Sequence, residues 1–396
     1  MGMSSPPVLR VAIVGAGFMG KMHAHAWRTA HRFFSLDAIP EIAVLVGRDA
    51  ARTADAAREF GALAASTDWR EVVARADIDV VDICTPGDTH AEITLAALAA
   101  GKHVLCEKPL ANSVVDAERM VVAAAAAPDL VAMCGFSYRR TPALSLAREL
   151  VTAGRLGEIR HVRAQYLQDW LSDPDAPFTW RLDRERAGSG TLGDIGAHSI
   201  DTAQWLSGER ITAVSALTRT FVTDRPELTE QVGLGGRAVQ GASRRDVTVD
   251  DAAAFTATFA GGAIGVFEAT RMATGRRNAN RIEINGSRGS ISFDFERLNE
   301  LEFYDATDPA GEQGFRRIQV TEPEHPYAAA WWPAGHGLGY EHGFTHQIVD
   351  FVRAITAGTT PSPSFAEAAQ VQRVLAAVED SAARGSIMTA VEGAPS

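Results

Sequence analysis

The sequence predicts a chain in two parts. A doubly wound parallel α/β sheet comes first, and an α+β domain built on an antiparallel sheet follows. Three observations predict this. Short apolar runs alternate with amphipathic helical stretches up to about residue 136, the pattern of βαβ units. Beyond about residue 156, strand-like runs follow one another in series. At 396 residues the chain exceeds the roughly 100–200 residues of a single domain. The expected boundary falls at 136/137, with helices in 341–385 packing back on the first part.

Val8–Val14 is an apolar run bounded by Pro7 and Gly15, and it reads as a buried parallel strand. A helical pattern runs from Phe18 to about Phe33. Glu41–Val46 is the second strand, and Ala50–Phe60 a helix stopped by Gly61. Asp68 can cap a short helix to about Arg75. Asp79–Cys84, His103–Cys106 and Leu130–Gly135 are the third to fifth strands. Helices at Thr89–Ala100 and Ser113–Ala127 separate them, closed by Gly101 and Pro128.

In the second part, Glu158–Trp170 is extended and Gly190–Leu206 has helical periodicity. Strands are expected at Ile211–Val222, Asp250–Phe259, Ala263–Met272, Arg281–Gly286, Ser290–Phe295, Glu300–Asp305 and Phe315–Val320. Asn285-Gly286 and Gly261-Gly262 are hairpin turn signals. Thr223–Val247, polar and rich in Gly and Arg, reads as a long loop or insertion. Glu322–Gly339 is a second irregular loop, and helices follow at Glu341–Ala357 and Ser364–Ala383.

Composition excludes several classes. Hydrophobic residues make up 46% and charged residues 22%, ample for a packed core. A net charge of −11 disfavours nucleic acid as a partner. No apolar stretch reaches the roughly 18 residues of a membrane span. The start of the chain has no apolar signal core, so a cytoplasmic protein is expected. Cys84, Cys106 and Cys134 form no CxxC pair and read as buried, inert thiols, with no metal site expected. Lysine occurs only at positions 21, 102 and 108, against 35 arginines.

Gly15-Ala16-Gly17-Phe18-Met19-Gly20 is a complete GxGxxG that follows a strand and opens a helix. Gly15 permits the tight turn, Gly17 the approach of a pyrophosphate, and Gly20 close packing of helix on strand. The helix N-terminus adds unpaired N–H groups and a partial positive charge. Phe18 and Met19 lie in this cofactor loop. After the second strand, where an acid would bond the NAD ribose, the chain has Gly47-Arg48-Asp49. Arg48 can pair with a 2′-phosphate, so NADP is favoured slightly over NAD. Arg48 stacked on adenine, with Asp49 capping the next helix, is the competing reading.

Thr85-Pro86 follows the third strand at the carboxyl edge, where doubly wound sheets bind ligands. His90 opens the next helix, and it serves either structure or the cofactor. Glu107-Lys108-Pro109 ends the fourth strand at that same edge, and Glu107 and Lys108 are expected among the cofactor contacts. A lysine in a desolvated cleft can exchange protons near neutral pH, and the proline after it can be cis. Asp194 and His198 stand i, i+4 near a helix start, a spacing that suits a proton-handling pair. A helix-end charge and a core histidine would give the same pattern.

GAGFMG after a strand, then CTPGDTH, AGKHVLCEKPLA and GTLGDIGAHSIDTAQWLSG, resembles the glucose–fructose oxidoreductase / inositol dehydrogenase family (Gfo/Idh/MocA). The likeness extends through GYEHGFTHQIVDFVRAI and PSPSFAEAAQVQRVL, so it covers nearly the whole chain. It implies a Rossmann domain joined to an α/β domain with a large open antiparallel sheet, the nicotinamide lying between them. It also implies that Lys108, Asp194 and His198 are the catalytic group. Trp180-Arg181 is similar to a family segment at the nicotinamide end, and Tyr340 to another cofactor contact. Ser137 stands where relatives often carry Asn, and Thr223–Val247 is longer than usual.

The function expected is an NAD(P)-dependent oxidoreductase acting on a secondary alcohol or ketone of a sugar or cyclitol. Lys108 would bind and polarise the reacting oxygen, His198 would take the hydroxyl proton, and Asp194 would orient His198. The resemblance also implies a homo-dimer or homo-tetramer. Alternatives are an NAD-dependent glycosidase of the same family and a non-catalytic, cofactor-sensing regulator.

Overall fold

The structure is a computed structural model and describes residues 6–228, 230–232, 235–237 and 241–393. The chain falls into two compact units. One comprises Met1–Arg140 with Gly339–Ala369, the other Thr141–Leu338 with Gln370–Ser396.

The first unit runs β1 (Val8–Val14), α1 (Phe18–Phe33), β2 (Ile39–Val46), α2 (Ala50–Phe60), β3 (Ala64–Ser66), α3 (Trp69–Val73), β4 (Val80–Ile83), α4 (His90–Ala99), β5 (His103–Cys106), α5 (Val114–Ala125) and β6 (Ala132–Cys134). The six strands form one parallel sheet in the order β3-β2-β1-β4-β5-β6, so the chain reverses its direction of travel between β1 and β4. Both faces of such a sheet are covered, which is why these strands are continuous apolar runs. Val14 pairs with Val46 and Ile83, Ile83 with Cys106, and Cys106 with Cys134. Gly15, Gly47, Cys84, Glu107 and Gly135 therefore leave the sheet along one carboxyl edge. Helix caps follow the sequence: Asp68 accepts from the Arg70 and Glu71 N–H groups, and Gly61 closes α2 in the left-handed region. Strand β3 was not expected. It has no β-branched residue to signal it, and it adds an edge strand beside β2.

The second unit continues with α6 (Pro142–Thr152), β7 (Ile159–Leu167), α7 (Arg184–Ala187), α8 (Ala197–Ser207), β8 (Ile211–Arg219), β9 (Asp224–Pro226), β10 (Glu230–Val232), β11 (Gly235–Arg237), β12 (Arg244–Asp246), β13 (Ala252–Phe259), β14 (Ile264–Thr270), β15 (Ala279–Gly286), β16 (Gly289–Asp294), β17 (Glu300–Asp305) and β18 (Arg316–Gln319). After α9 (Tyr340–Ala357) and α10 (Phe365–Ala383) comes β19 (Thr389–Ala390). Nine strands form a sheet in the order β18-β17-β16-β15-β7-β14-β13-β8-β19. Every pair is antiparallel except β14 with β7. One face is apolar by alternation. Ala253, Phe255, Ala257 and Phe259 of β13 are buried, and Phe255 stacks on Phe267 at 4.6 Å.

Several local expectations change. Gly261-Gly262 forms its hairpin, with Gly262 at φ +92. Asn285-Gly286 does not occupy the turn centre. Asn285 still pairs with Ser290, and the chain reverses over residues 286–289. The expected loop at Thr223–Val247 is partly strand: β9 pairs with β12, and β10 with β11. Residues 229, 233, 234 and 238–240 of that segment lie outside the described residues. In the late region, α9 lies in the first unit, where Phe351 meets Trp27 of α1 edge-on at 6.0 Å. Helix α10 begins in the first unit and continues in the second.

Candidate active site

The glycine loop after β1 has the shape that a dinucleotide phosphate requires. Gly15 sits at φ +123, and a Cβ there would lie 2.7 Å from the Cys84 carbonyl oxygen. A Cβ on Gly20 would lie 1.9 Å from the Gly15 carbonyl, so α1 starts hard against the loop. Above Gly17 there is open space, with nothing within 4 Å of an added Cβ. Gly17 caps α1 without a side-chain bond, and the first turn carries no acid. A pyrophosphate fits these amides. Phe18 is exposed and Met19 partly so.

At the end of β2, a Cβ on Gly47 would lie 2.3 Å from the Thr53 hydroxyl, so any larger residue there requires Thr53 to shift. Arg48 is exposed, and Asp49 caps α2 by accepting the Arg52 N–H at 2.8 Å. Thr85 and Pro86 are half-buried at the end of β4. His90 is buried between two backbone carbonyls, Pro109 at 3.0 Å and Thr85 at 2.8 Å. It braces one loop of the carboxyl edge against the other.

Lys108 is half-buried after β5, and its bond to Pro109 is cis. The other lysines have structural duties. Lys21 pairs with Glu59 at 2.5 Å on the surface, and Lys102 donates to the Arg75 and Ile78 carbonyls at 2.7 Å. Glu107 turns inward. Its carboxylate takes His23 Nε2 at 3.0 Å and the Lys108 backbone N–H at 3.1 Å. His23 Nδ1 meets Asp82 at 2.9 Å, and the Trp27 indole donates to Asp82 at 2.7 Å. A buried polar chain therefore links α1, β4 and the lysine turn. Burial works against a charged His23, but the charge and hydrogen bond of Asp82, together with Cys84, more than offset it and hold the imidazole well above its usual pKa. Cys84 lies near His23 and Asp82, a grouping that could ligate a metal. Hydrogen bonds already occupy both His23 nitrogens and Asp82, and burial, then Asp82, push the Cys84 thiol up to about 12.

Also in the first unit, Tyr340 begins α9 against Tyr138 and Phe344, with ring centroids at 6.4 and 5.1 Å, and burial pushes its phenol up. Ser137 is buried. The histidines of HGFTH are structural. His342 Nδ1 accepts the Gly339 N–H at 3.0 Å, and His346 Nδ1 meets the Arg140 carbonyl at 2.9 Å.

In the second unit, the segment leading to His198 is a π-helical turn, Leu192–Gly196, that runs into α8. Such turns recur at functional sites. Asp250 holds its entrance: its carboxylate accepts the Gly190 and Leu192 N–H groups, each at 2.8 Å. Gly190 is required there, since a Cβ would fall 2.0 Å from the Asp250 carbonyl. Asp194 accepts Arg271 Nη1 at 3.1 Å, and the Arg271 side chain is wholly buried. Arg181 lies within electrostatic reach of both. Its guanidinium sits 4.5 Å over the Trp180 ring. Trp180, Arg181 and Asp194 are thus brought together, and Arg271 joins them. His198, one turn on, is buried with its ring 5.9 Å from Tyr166.

Sequence reasoning missed His23, Asp82, Asp250 and Arg271. One signal was available: Asp82 is an acid inside the buried run VVDIC, and a buried acid needs partners. His23 and Trp27 stand i, i+4 on the helix behind it. Arg271 gave none among 35 arginines.

A parallel sheet with this glycine loop, followed by a sheet domain carrying an aspartate and histidine on one turn, defines a nicotinamide-dinucleotide oxidoreductase. Residues 9–135 match the oxidoreductase family with an NAD-binding Rossmann fold, and 144–292 match the GFO/IDH/MocA C-terminal domain. The chain belongs to the Gfo/Idh/MocA family. It is 42% identical over 381 residues to levoglucosan dehydrogenase of Pseudarthrobacter phenanthrenivorans, covering 96% of this chain and 97% of that protein. An oxidoreductase domain protein from Kribbella flavida superposes with a TM-score of 0.93 at 56% identity, over 97% of this chain and 99% of that one. Levoglucosan dehydrogenase in complex with NADH and levoglucosan superposes with a TM-score of 0.91 at 40% identity, over 98% of this chain and 100% of that one. No helix among the described residues is long and apolar enough to cross a membrane.

Proposed function

We propose that the chain is an NAD(P)-dependent dehydrogenase oxidising a secondary hydroxyl of a sugar, with a levoglucosan-like anhydrosugar as the first candidate and cyclitols next. The observation that carries this is the Asp194–His198 turn, its carboxylate held by buried Arg271. Full-length similarity to levoglucosan dehydrogenase supports the substrate class.

Gly15, Gly17, Phe18, Met19 and Gly20 hold the pyrophosphate. Thr85, Pro86, Trp180, Arg181 and Tyr340 contact the rest of the cofactor. Bound nicotinamide supplies the hydride acceptor. Lys108 binds the substrate oxygen and polarises it. His198 takes the hydroxyl proton, and Asp194 orients His198. Glu107 and His90 act one layer back, holding the backbone around Lys108. Arg48 receives a ribose 2′-phosphate, which favours NADP. NADH complexes of the relative support plain NAD as the second reading. The outer face of the nine-stranded sheet pairs subunits into a dimer or tetramer, and the protein works in the cytoplasm.

A panel of anhydrosugars, pyranoses and cyclitols, assayed with NAD and NADP for formation of the reduced nicotinamide, tests this reading. Sugar-dependent reduction is expected. Tight cofactor binding with no net reduction by any sugar or cyclitol would exclude it.

A further inference from the structure

Three guanidinium anchors leave the β9/β12 ladder for one segment. Arg225 is wholly buried and donates to the backbone carbonyls of Leu171 at 2.7 Å, Asp173 at 2.7 Å and Ala176 at 3.3 Å. Arg244 reaches the Asp175 carboxylate at 3.1 Å and the Pro174 carbonyl at 3.3 Å. Arg245 lies 4.3 Å over the Phe178 ring and 3.5 Å from Asp183. The backbone joins in: the Phe178 N–H donates to the Pro226 carbonyl at 2.7 Å, and the Thr248 N–H to the Leu182 carbonyl at 3.1 Å. Beneath them, Leu171, Phe178 and Leu182 form a small apolar cluster with Val249.

The gripped segment, 171–183, has little regular structure of its own. Its one feature is the short turn Trp180–Leu182 that carries Trp180 and Arg181. A loop of this kind would otherwise fluctuate. A buried guanidinium with five donors in a fixed fork suits the capture of several carbonyls at once. Its burial is expensive unless those carbonyls stay in place.

We propose that the β9/β12 ladder is a positioning clamp for Trp180 and Arg181, with Arg225 as its principal positioning residue. The ladder sets the wall beside Asp194 and so determines which substrates are turned over, without touching them itself. This inference rests on the reading of Trp180, Arg181 and Asp194 given under the proposed function. Arg225 acts through Arg181, and Arg244 and Arg245 add the flanks.

Arg225→Gln, Arg245→Gln and Arg181→Gln, with the Arg225→Gln/Arg181→Gln double variant, are compared by amide hydrogen exchange and by kinetics on the best sugar from the panel. Exchange at 171–182 should rise by roughly tenfold or more in Arg225→Gln, while β1 keeps its protection. Its kcat/KM should fall on the order of a hundredfold, as for a reacting-site wall out of place. Arg181→Gln should add little to that loss, since both act on one wall. Should Arg225→Gln not accumulate folded, Arg245→Gln carries the same comparison at a half-exposed position, with a smaller effect in the same direction. Unchanged exchange at 171–182, or losses that add fully with Arg181→Gln, overturns the clamp. The exchange result needs no turnover, so it stands apart from failure of the enzymatic reading, which shows as an inactive parent protein.

Discussion

Arg271 holds the Asp194 carboxylate at 3.1 Å from a position with no solvent exposure at all. The carboxylate itself is only partly covered, and Arg181 faces it as well. Asp194 is therefore held in place by a buried guanidinium while remaining partly exposed. Arg271→Met removes the anchor. Loss of one partner of a buried ion pair typically costs about 3–5 kcal/mol, and partial exposure of Asp194 places this pair at the lower end. Urea unfolding should show that loss, and kcat should fall with KM for the cofactor little changed. A variant as active as the parent would remove Arg271 from the account.

The His23 chain predicts a pH dependence of stability. Burial disfavours the charged imidazole, but the charge and hydrogen bond of Asp82, with Cys84 beside it, more than offset this, and its pKa in the fold lies well above about 6.5. A raised folded-state pKa contributes stability that is complete below the unfolded value and is lost as pH rises through the folded one. Every tenfold gain in proton affinity on folding corresponds to about 1.4 kcal/mol. Urea midpoints should fall from neutral pH upward in the parent and much less in His23→Asn. Equal slopes in both proteins would contradict the assignment.

Gly47 and Arg48 predict the cofactor preference. The acid that would repel a 2′-phosphate is absent, and Thr53 crowds the position where it would stand. A charge-assisted hydrogen bond contributes about 1.5–3 kcal/mol, and exposure of Arg48 puts it at the low end, on the order of tenfold in affinity. Isothermal titration should show NADP binding more tightly than NAD, and Arg48→Ala should narrow the gap by weakening NADP. NAD binding as well as NADP in the parent would make Arg48 an adenine stacker.

The outward face of the large sheet carries Leu217, Ile264 and Val266, which are 67%, 51% and 50% exposed. They lie on β8 and β14, the strands either side of β13. Exposed apolar side chains gathered on one sheet face are a common feature of subunit interfaces. Light scattering at micromolar concentration should give a dimer or tetramer, and Val266→Glu should shift it towards monomer. A monomeric parent protein would exclude pairing through this face.

Much of this was legible in the sequence, for reasons that differ by element. The parallel strands were readable because both faces are buried and nearly every position is apolar. Gly15 and Gly20 were readable because each answers a steric demand within the chain itself. Strand β3 was not, since Ala64-Ala65-Ser66 is an edge strand held by pairing alone. Helix α6 was missed although Pro142 stands at its first turn. Asn285-Gly286 misled because the reversal uses two further residues. Arg225 and Arg271 were invisible because a buried arginine is identified by the carbonyls and carboxylates around it, and those arrive from distant segments.

We propose that Lys108 serves the chemistry and not the fold or the cofactor, and the Lys108→Ala variant is the sharpest test. The measurement is kcat with the best sugar alongside the cofactor dissociation constant in the same preparation. The expected kcat is lower by about two to four orders of magnitude, with cofactor affinity near that of the parent. Turnover close to the parent's, with any change confined to cofactor binding, would contradict it.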